Sequence, residues 1–137
     1  MILPMRRLML FVLCALLLTC SAFAEEPAAA PAKGYILVTA GSEQLWLPLP
    51  AEEDYIFPLT QTLPDGTTME NVLHVTPDGV YMESSTCHNQ DCVKQGVVTL
   101  ENRDDRLLYN MIICLPNQVT LQLFTPEEVL AQYLAAQ

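Results

Sequence analysis

The chain has 137 residues, of which 51% are apolar, and its formal net charge is −10. Sixteen Asp and Glu residues outnumber six Lys and Arg residues, whereas a protein that binds nucleic acid needs cations to displace counterions from the phosphates. The composition therefore excludes nucleic acid as a partner, and the length suits one small domain with a core of its own.

Residues 1–24 predict a secretory signal peptide. Arg6 and Arg7 precede an apolar run over residues 8–18, and Ala22-Phe23-Ala24 forms a small-x-small cleavage site. The apolar run is too short for a membrane span, which needs about twenty residues. Cleavage after this site would remove both arginines, which leaves four basic and sixteen acidic residues and no membrane span in the mature chain. We therefore expect an extracytoplasmic protein, either secreted or held at the cell envelope.

Two alternatives stay open for the N-terminus. In the first, Cys20 carries a lipid, because the preceding Leu17-Leu18-Thr19 is similar to the lipobox of lipoproteins. In the second, the segment is retained as an uncleaved anchor. Residues 25–33 are rich in Ala and Pro and lack apolar periodicity, so they predict a linker between this segment and the fold.

Residues 34–124 predict a mostly β domain built from antiparallel hairpins. Short runs rich in β-branched and apolar residues alternate with turns that contain Gly or Pro. The predicted strands cover residues 35–40, 44–49, 55–62, 69–76, 80–85, 97–101, 107–114 and 119–124. Pro58 should make the third strand short and place it at a sheet edge. In the fourth strand, Asn71 and Val72 interrupt an otherwise regular apolar alternation.

Residues 125–137 predict a C-terminal α-helix. Thr125 and Glu128 are spaced as a capping box, and Pro126 occupies the first helical position, where the N–H has no partner in any case. Apolar residues then follow at helical spacing. We therefore expect a helix over residues 126–135.

The most specific pattern in the chain is formed by three cysteines. Cys87 and Cys92 are separated by four residues, a Val-Lys-Gln-Gly sequence follows them, and Cys114 begins a Cys-Leu-Pro-Asn sequence that breaks a strand. Together with the preceding hairpin, this pattern resembles the NusG domain II-like family of small exported or membrane-anchored bacterial proteins, over residues 34–124. The resemblance implies a compact β-barrel or β-sandwich and no activity. The chain departs from the family in having His88 where Pro is usual and a longer stretch before the third cysteine.

The sequence predicts that the three cysteines lie close together at one end of the β domain. Cys87 and Cys92 bracket a tight polar turn, and Cys114 ends a strand near a proline that stops the ladder, so both features belong to a sheet rim. In an oxidising compartment the default is one structural disulfide and one buried free thiol. A bond between Cys87 and Cys92 would be worth roughly 2 kcal/mol, whereas a longer loop closed by Cys114 would be worth roughly 3.5 kcal/mol. We therefore favour a disulfide through Cys114 with either of the others.

Two other chemistries are open to the same residues. A zinc ion needs four ligands, and the pattern supplies Cys87, His88, Cys92 and Cys114. Adjacent ligands at positions 87 and 88 are nevertheless unusual for one tetrahedron. Alternatively, Cys87 and Cys92 form an exchangeable redox pair that Cys114 resolves, in a spacing and an all-β context that differ from thioredoxin-like motifs.

The sequence contains no motif of an enzyme, because it lacks a Gly-rich phosphate loop, a nucleophile elbow and a paired-histidine zinc motif. We therefore expect a non-enzymatic accessory or interaction module that uses no cofactor and has another cell-envelope protein as its partner. A thiol-redox or metal-binding protein that uses Cys87, Cys92 and Cys114 is the alternative. His74, on the polar face of a predicted strand, is interpreted as an exposed side chain without a role.

Overall fold

A computed structural model describes residues 31–137. The predicted signal peptide over residues 1–24, the alternative lipidation site at Cys20 and all but the end of the predicted linker over residues 25–33 lie outside the described residues. From residue 35 onwards the chain follows a succession of short strands and turns before it ends in a helix.

Eight strands, two α-helices and one 3₁₀ turn are present in residues 31–137. The strands are β1 (Tyr35–Ala40), β2 (Glu43–Pro48), β3 (Tyr55–Thr62), β4 (Thr68–Val75), β5 (Gly79–Ser85), β6 (Val98–Thr99), β7 (Met111–Cys114) and β8 (Val119–Phe124). The helices are α1 (Asp91–Lys94) and α2 (Pro126–Ala135), and the 3₁₀ turn covers Arg103–Asp105.

The strands form two four-stranded antiparallel sheets, with the orders β2-β1-β8-β7 and β3-β4-β5-β6. β1 pairs along its whole length with both β2 and β8, so the first and last of these strands lie side by side. Each sheet keeps two edge strands, and the described residues form no closed barrel. The prediction of a mostly β fold of antiparallel hairpins with a C-terminal helix is therefore confirmed, without the barrel alternative.

One hydrophobic core collects inward side chains from both sheets. Burial alternates along the strands, as in β8, where Val119, Leu121 and Leu123 are buried while the residues between them are half-buried. Other core residues are Ile36, Val38 and Ile112 from one sheet and Leu73, Val75, Val80 and Met82 from the other. All three cysteines of the sequence pattern belong to the same core.

The structure departs from the predicted strands in three places. β3 covers the predicted residues 55–62 and lies at a sheet edge, but with eight residues it is not short, because an edge strand tolerates the missing N–H of Pro58. The strand predicted over residues 97–101 is reduced to the two residues of β6 (Val98–Thr99). The strand predicted over residues 107–114 begins only at Met111, since Tyr109 adopts a left-handed conformation, with φ of 56°, that a strand does not accommodate. Leu107 is fully exposed as a result.

Helix α2 begins and ends where the sequence predicts. Thr125 and Glu128 form a reciprocal capping box: the Glu128 N–H donates to Thr125 Oγ1 at 3.3 Å, and the Thr125 N–H donates to Glu128 Oε2 at 2.8 Å. Buried Arg103, from the 3₁₀ turn, donates to both carboxylate oxygens of Glu128 at 2.6 and 2.8 Å, which ties the helix to the sheets. Within residues 31–137, no helix has the length and apolar character that a membrane crossing requires.

Candidate functional site

Three cysteines meet at one end of the core. Cys87 follows the end of β5, Cys92 lies in α1, and Cys114 is the last residue of β7. All three are buried, their Sγ atoms lie within 4.8 Å of one another, and the Cys87 and Cys92 sulphurs are 3.5 Å apart. The predicted proximity of the three cysteines is therefore confirmed. These residues are referred to below as the cysteine cluster.

The turn between Cys87 and Cys92 folds back at Gln90. Gln90 has a left-handed backbone conformation, with φ of 56°, and its side-chain amide donates to the carbonyl oxygens of Ser85 and Cys87. Gly96, with φ of 69°, ends the short helical turn. These local interactions hold Cys92 directly beside Cys87.

Gln95 attaches α1 to the edge of β7. Its side-chain Nε2 donates to the Ile113 carbonyl at 2.7 Å, and its Oε1 accepts from the Ile113 N–H at 2.8 Å, so the amide takes the place of a neighbouring strand. Arg106 covers the adjacent position by donating to the Met111 carbonyl at 2.9 Å. This attachment holds α1 against the end of β7. It therefore places Cys92 of α1 beside Cys114 of β7.

A series of buried polar side chains leads from β4 to the cysteine cluster. Asn117 Nδ2 donates to Asn71 Oδ1 at 2.9 Å, and Asn71 Nδ2 donates to Ser85 Oγ at 3.1 Å. Ser85 Oγ also accepts from the Cys87 N–H at 3.1 Å and lies 3.6 Å from Cys114 Sγ. Ser85 Oγ accepts both of these hydrogen bonds, so its own hydroxyl proton is free to be donated to the Cys114 sulphur.

Asn71 and Ser85 are not among the site residues that the sequence predicts. The signal for Asn71 is the interruption in the alternation of β4, because Asn71 shares the inward face with Leu73 and Val75 and is only 1% exposed. A polar residue in a core-facing position indicates a buried hydrogen-bonding role. No feature of the local sequence identifies Ser85.

The thiol pKa values of the cluster move in opposite directions. Burial, with smaller contributions from the two neighbouring sulphurs, raises the pKa of Cys92 to about 12. Burial also opposes ionisation of Cys114, but hydrogen bonds from Asn71, Ser85 and a backbone N–H outweigh it and lower the pKa of Cys114. Of these two thiols, Cys114 is therefore the one that ionises first.

A pocket of about 240 Å³ connects the cysteine cluster with the surface. Cys92 and Cys114, each 1% exposed, line the pocket together with Leu115, which is 80% exposed. The remaining walls come from the apolar residues Leu108, Ile113 and Pro116 and from the polar residues Asn89, Asp91 and Gln95. Two of the three cysteines therefore border a space that a small ligand can occupy.

The three cysteines are free thiols in this structure, and His88 does not join them. No two of the three sulphurs are bonded to each other, and the Cys87 and Cys92 sulphurs are 3.5 Å apart, against roughly 2.05 Å in a disulfide bond. The favoured disulfide through Cys114 therefore stays a prediction. His88 is exposed, and within residues 31–137 the group of mutually close metal-ligating atoms consists of the three cysteines. The structure therefore brings together three of the four ligands that the zinc hypothesis names.

His74 lies between two carboxylates instead of standing free. Its Nε2 is 3.0 Å from Asp54 Oδ2 and its Nδ1 is 3.1 Å from Glu83 Oε2. The imidazole also stacks on the ring of Tyr81, with centroids 4.7 Å apart. The hydrogen bond to Asp54 is the main cause that raises the pKa of His74, and the bond to Glu83 adds to it. His74 is therefore the centre of a surface ion-pair group.

The chain is similar to a known family and to solved structures. A family model for NusG domain II matches residues 8–126. The crystal structure of the Lin0431 protein from Listeria innocua is 16% identical, with a TM-score of 0.52, over 68% of this chain and 97% of that one. The crystal structure of EF3258, a DUF1312 family protein from Enterococcus faecalis V583, is 14% identical, with a TM-score of 0.52, over 68% of this chain and 98% of that one. Both likenesses show a shared fold, and no curated protein matches the chain.

Proposed function

The chain belongs to the NusG domain II family, and on that premise we propose that it is an exported, non-enzymatic accessory module of the bacterial cell envelope whose cysteine cluster binds one soft metal ion. The observation that carries the proposal is the convergence of three buried Sγ atoms within 4.8 Å of one another. Export is supported by the N-terminal sequence, which has the charge, the apolar run and the cleavage site of a signal peptide.

The sulphur positions suit a single ion. Zinc–sulphur bonds are about 2.3 Å long, so thiolates that share one ion lie about 3.7–4.0 Å from each other. The Cys87 and Cys92 sulphurs are 3.5 Å apart, just below this range, and no two of the three sulphurs are more than 4.8 Å apart. Small side-chain rotations therefore bring all three sulphurs onto one ion. Thiolates are soft ligands, which favours Zn²⁺ or Cu⁺.

The surroundings of the cluster also suit a metal site. Groups that hydrogen-bond to ligating atoms orient them and tune the bound metal, and here Ser85 Oγ lies 3.6 Å from Cys114 Sγ while Asn71 holds the hydroxyl in place. One structural disulfide uses two cysteines and needs no donor aimed at a third sulphur. The third buried cysteine and its donor therefore favour a metal site over a single disulfide.

An exposed apolar face supports the role as an interaction module. Leu130, Tyr133 and Leu134 follow one another at helical spacing on α2 and are 57%, 65% and 63% exposed. No residue of α2 is buried. Apolar side chains that share one exposed face are typical of a contact surface for another protein. A second cell-envelope protein is the partner that we propose for this face.

A metal titration tests the proposed site. The full-length chain with Cys14→Ser and Cys20→Ser keeps the cluster cysteines as its only thiols, and the unmodified chain is its control. We expect both proteins to bind one Zn²⁺ or Cu⁺ in anaerobic titrations followed by native mass spectrometry. Addition of Cys114→Ser should abolish stoichiometric binding. A metal-free mass two hydrogens below that of the reduced chain would identify a disulfide or a redox pair instead.

Sequencing of the mature N-terminus tests export. We expect protein recovered from the envelope or the medium of producing cells to begin at Glu25, because the cleavage site ends at Ala24. A diacylglyceryl group on Cys20 would replace that cleavage site with the lipoprotein one but keep the protein at the envelope. An uncleaved chain confined to the cytoplasm would contradict the proposed location.

A further inference from the structure

We propose that a metal ion held by the cysteine cluster keeps one coordination position open and binds a small external thiol there, through the pocket beside Cys92 and Cys114. The inference rests on the proposed metal site and adds the class of its ligand, a neutral thiol with a small apolar body. Three features of the molecule support it: the number of protein ligands, the position of the pocket and the chemistry of the pocket walls.

The described part of the chain supplies three ligands to the cluster. Structural zinc sites close their tetrahedron with four protein ligands, whereas sites that bind a further molecule have three and leave one position open. His88 is exposed and lies outside the group of mutually close ligating atoms that residues 31–137 contain. The polar side chains of Asn71 and Ser85, which lie beside the cluster, are hydrogen-bonded to each other at 3.1 Å and are not counted as ligands. An ion at the cluster therefore has a position for an external ligand.

The pocket provides the path to that position. Its volume of about 240 Å³ exceeds the roughly 30 Å³ of one water molecule and falls just below the range of about 300–1,000 Å³ for drug-sized ligands. Cys92 and Cys114 line it although each is only 1% exposed. A molecule smaller than a typical drug therefore reaches the sulphurs, and an ion between them, through this pocket.

The walls of the pocket favour a thiol with an apolar body. The lining includes the apolar residues Leu108, Ile113, Leu115 and Pro116, and burying carbon against them is favourable. Asp91 in the lining is paired with Lys94 at 3.6 Å, and no lining residue is cationic, so the pocket offers an anionic ligand no attraction, while the ion itself prefers sulphur. A neutral thiol meets these conditions: it enters uncharged, releases its proton to solvent, and binds the ion as a thiolate in place of a water molecule.

Cobalt spectroscopy tests the inference on the full-length chain with Cys14→Ser and Cys20→Ser. Co²⁺ replaces Zn²⁺ in thiolate sites, and its visible absorption reports the number and kind of its ligands. We expect cyclohexanethiol, an alkyl thiol that is uncharged in neutral solution, to change the visible absorption of the Co²⁺-loaded protein saturably, with one thiol per ion. Cyclohexanol has the same ring but a hard oxygen donor, so it should leave the spectrum unchanged.

Two leucine variants locate the bound thiol. Leu115→Asp replaces an apolar wall of the pocket by a charge, and we expect it to weaken cyclohexanethiol binding about tenfold or more, because apolar contact is lost. Leu107→Asp makes the same change at a fully exposed leucine that does not line this pocket. Binding to Leu107→Asp should equal binding to the parent chain.

The outcomes separate this inference from the proposed function. Failure of Co²⁺ to bind would overturn the metal site itself. Binding of Co²⁺ without any spectral response to cyclohexanethiol would leave the metal site standing and overturn the open position. Loss of Co²⁺ from the protein to the added thiol, or equal weakening by Leu115→Asp and Leu107→Asp, would also overturn the inference.

Discussion

Asn71, Ser85 and Asn117 link three separate segments of the chain to a single sulphur atom. Asn71 belongs to β4, Ser85 ends β5, and Asn117 lies in the turn between β7 and β8. A buried amide without a partner costs free energy, and within residues 31–137 no buried side-chain polar atom lacks a hydrogen bond. The geometry at Cys114 therefore depends on side chains that are as far apart in the chain as Asn71 and Asn117.

Loss of Asn71 should destabilise the protein. Asn71→Leu keeps the branching and the number of side-chain heavy atoms but removes the acceptor for Asn117 and a donor to Ser85. We expect the free energy of unfolding to fall by about 1–3 kcal/mol, the cost of leaving buried polar groups unpaired, in urea denaturation of the reduced, metal-free chain. Asn89→Leu, at an exposed asparagine, is the matched control and should shift the midpoint less. Equal midpoints for the two variants would contradict the role of Asn71.

His74 predicts that stability depends on pH. Only an imidazolium ion donates to Asp54 and Glu83 at the same time, and these bonds raise the pKa of His74 above its usual value of 6.5. The other neighbours, Tyr81 stacked on the ring and Ile56 opposite on β3, add no carboxylate. The stabilising contribution is therefore complete below about pH 6.5 and is lost as the pH rises through the raised pKa of the folded state.

Urea unfolding at several pH values measures this contribution. We expect the midpoint of the unmodified chain to fall between about pH 6 and about pH 8, and to fall less in His74→Gln, which has no imidazolium to lose. His88→Gln changes the other histidine and should keep the full pH dependence. The account of His74 fails if His74→Gln shows the same dependence as the unmodified chain.

At the scale of the elements, side chains rather than another strand cover the edge of β7. Gln95 pairs with both backbone groups of Ile113, and Arg106 takes the carbonyl of Met111. An uncovered edge strand presents free N–H and C=O groups to other chains and promotes association. The Gln95 amide therefore has two consequences, because it blocks this edge and also fixes α1 beside the cysteine cluster.

Gln95→Ala should uncover the edge of β7 and also loosen α1 beside the cysteine cluster. We expect the free energy of unfolding to fall by about 1–3 kcal/mol, the metal affinity to fall because α1 and its Cys92 lose their attachment to β7, and light scattering to reveal more self-association. Gln44→Ala, in the outer strand β2, removes a side chain with one long contact of 3.5 Å to Thr39 and serves as the control. Identical metal affinities in the two variants would show that Gln95 does not position α1.

The sequence predicts where an element begins and ends when contacts between residues close in the chain decide it. It does not when residues distant in the chain decide it. The capping box of α2 is predictable because Thr125 and Glu128 are three residues apart. The turn at residues 107–110 is not, because residues distant in the chain hold it: Arg106 donates to the Gln95 carbonyl at 3.0 Å, and Asn110 Nδ2 donates to the Leu123 carbonyl at 2.8 Å. The apolar residues of this segment therefore predict a strand, whereas the contacts with distant residues produce a turn.

At the scale of the whole molecule, the cysteine cluster joins the two sheets. Cys87 follows β5 of one sheet, Cys114 ends β7 of the other, and Cys92 is supplied by α1 between them. An ion bound by all three sulphurs would therefore cross-link the sheets. A ligand that binds only the folded chain stabilises it, by about 4 kcal/mol when its concentration is about 1,000 times its dissociation constant.

The sequence predicts that the three cysteines lie close together, but it does not predict which polar groups surround their sulphurs. The spacing of Cys87 and Cys92 around a tight turn, and the proline after Cys114, place all three at a sheet rim. The donors that surround the sulphurs come from β4, β5 and the turn after β7, and their approach depends on strand register over long sequence distances. Local patterns carry no information on that register. The sequence therefore suggests His88 as a fourth metal ligand because it is next to Cys87, whereas the structure leaves His88 exposed.

The native mass of the protein, isolated from producing cells without reductant or chelator, tests the central claim most directly. We expect the mass of the chain from Glu25 plus one Zn²⁺ or Cu⁺, with three thiols that react with an alkylating reagent only after the metal is removed. A metal-free chain lighter by two hydrogens, in which two of Cys87, Cys92 and Cys114 resist alkylation until they are reduced, would show that the cluster is a disulfide and would contradict the metal site.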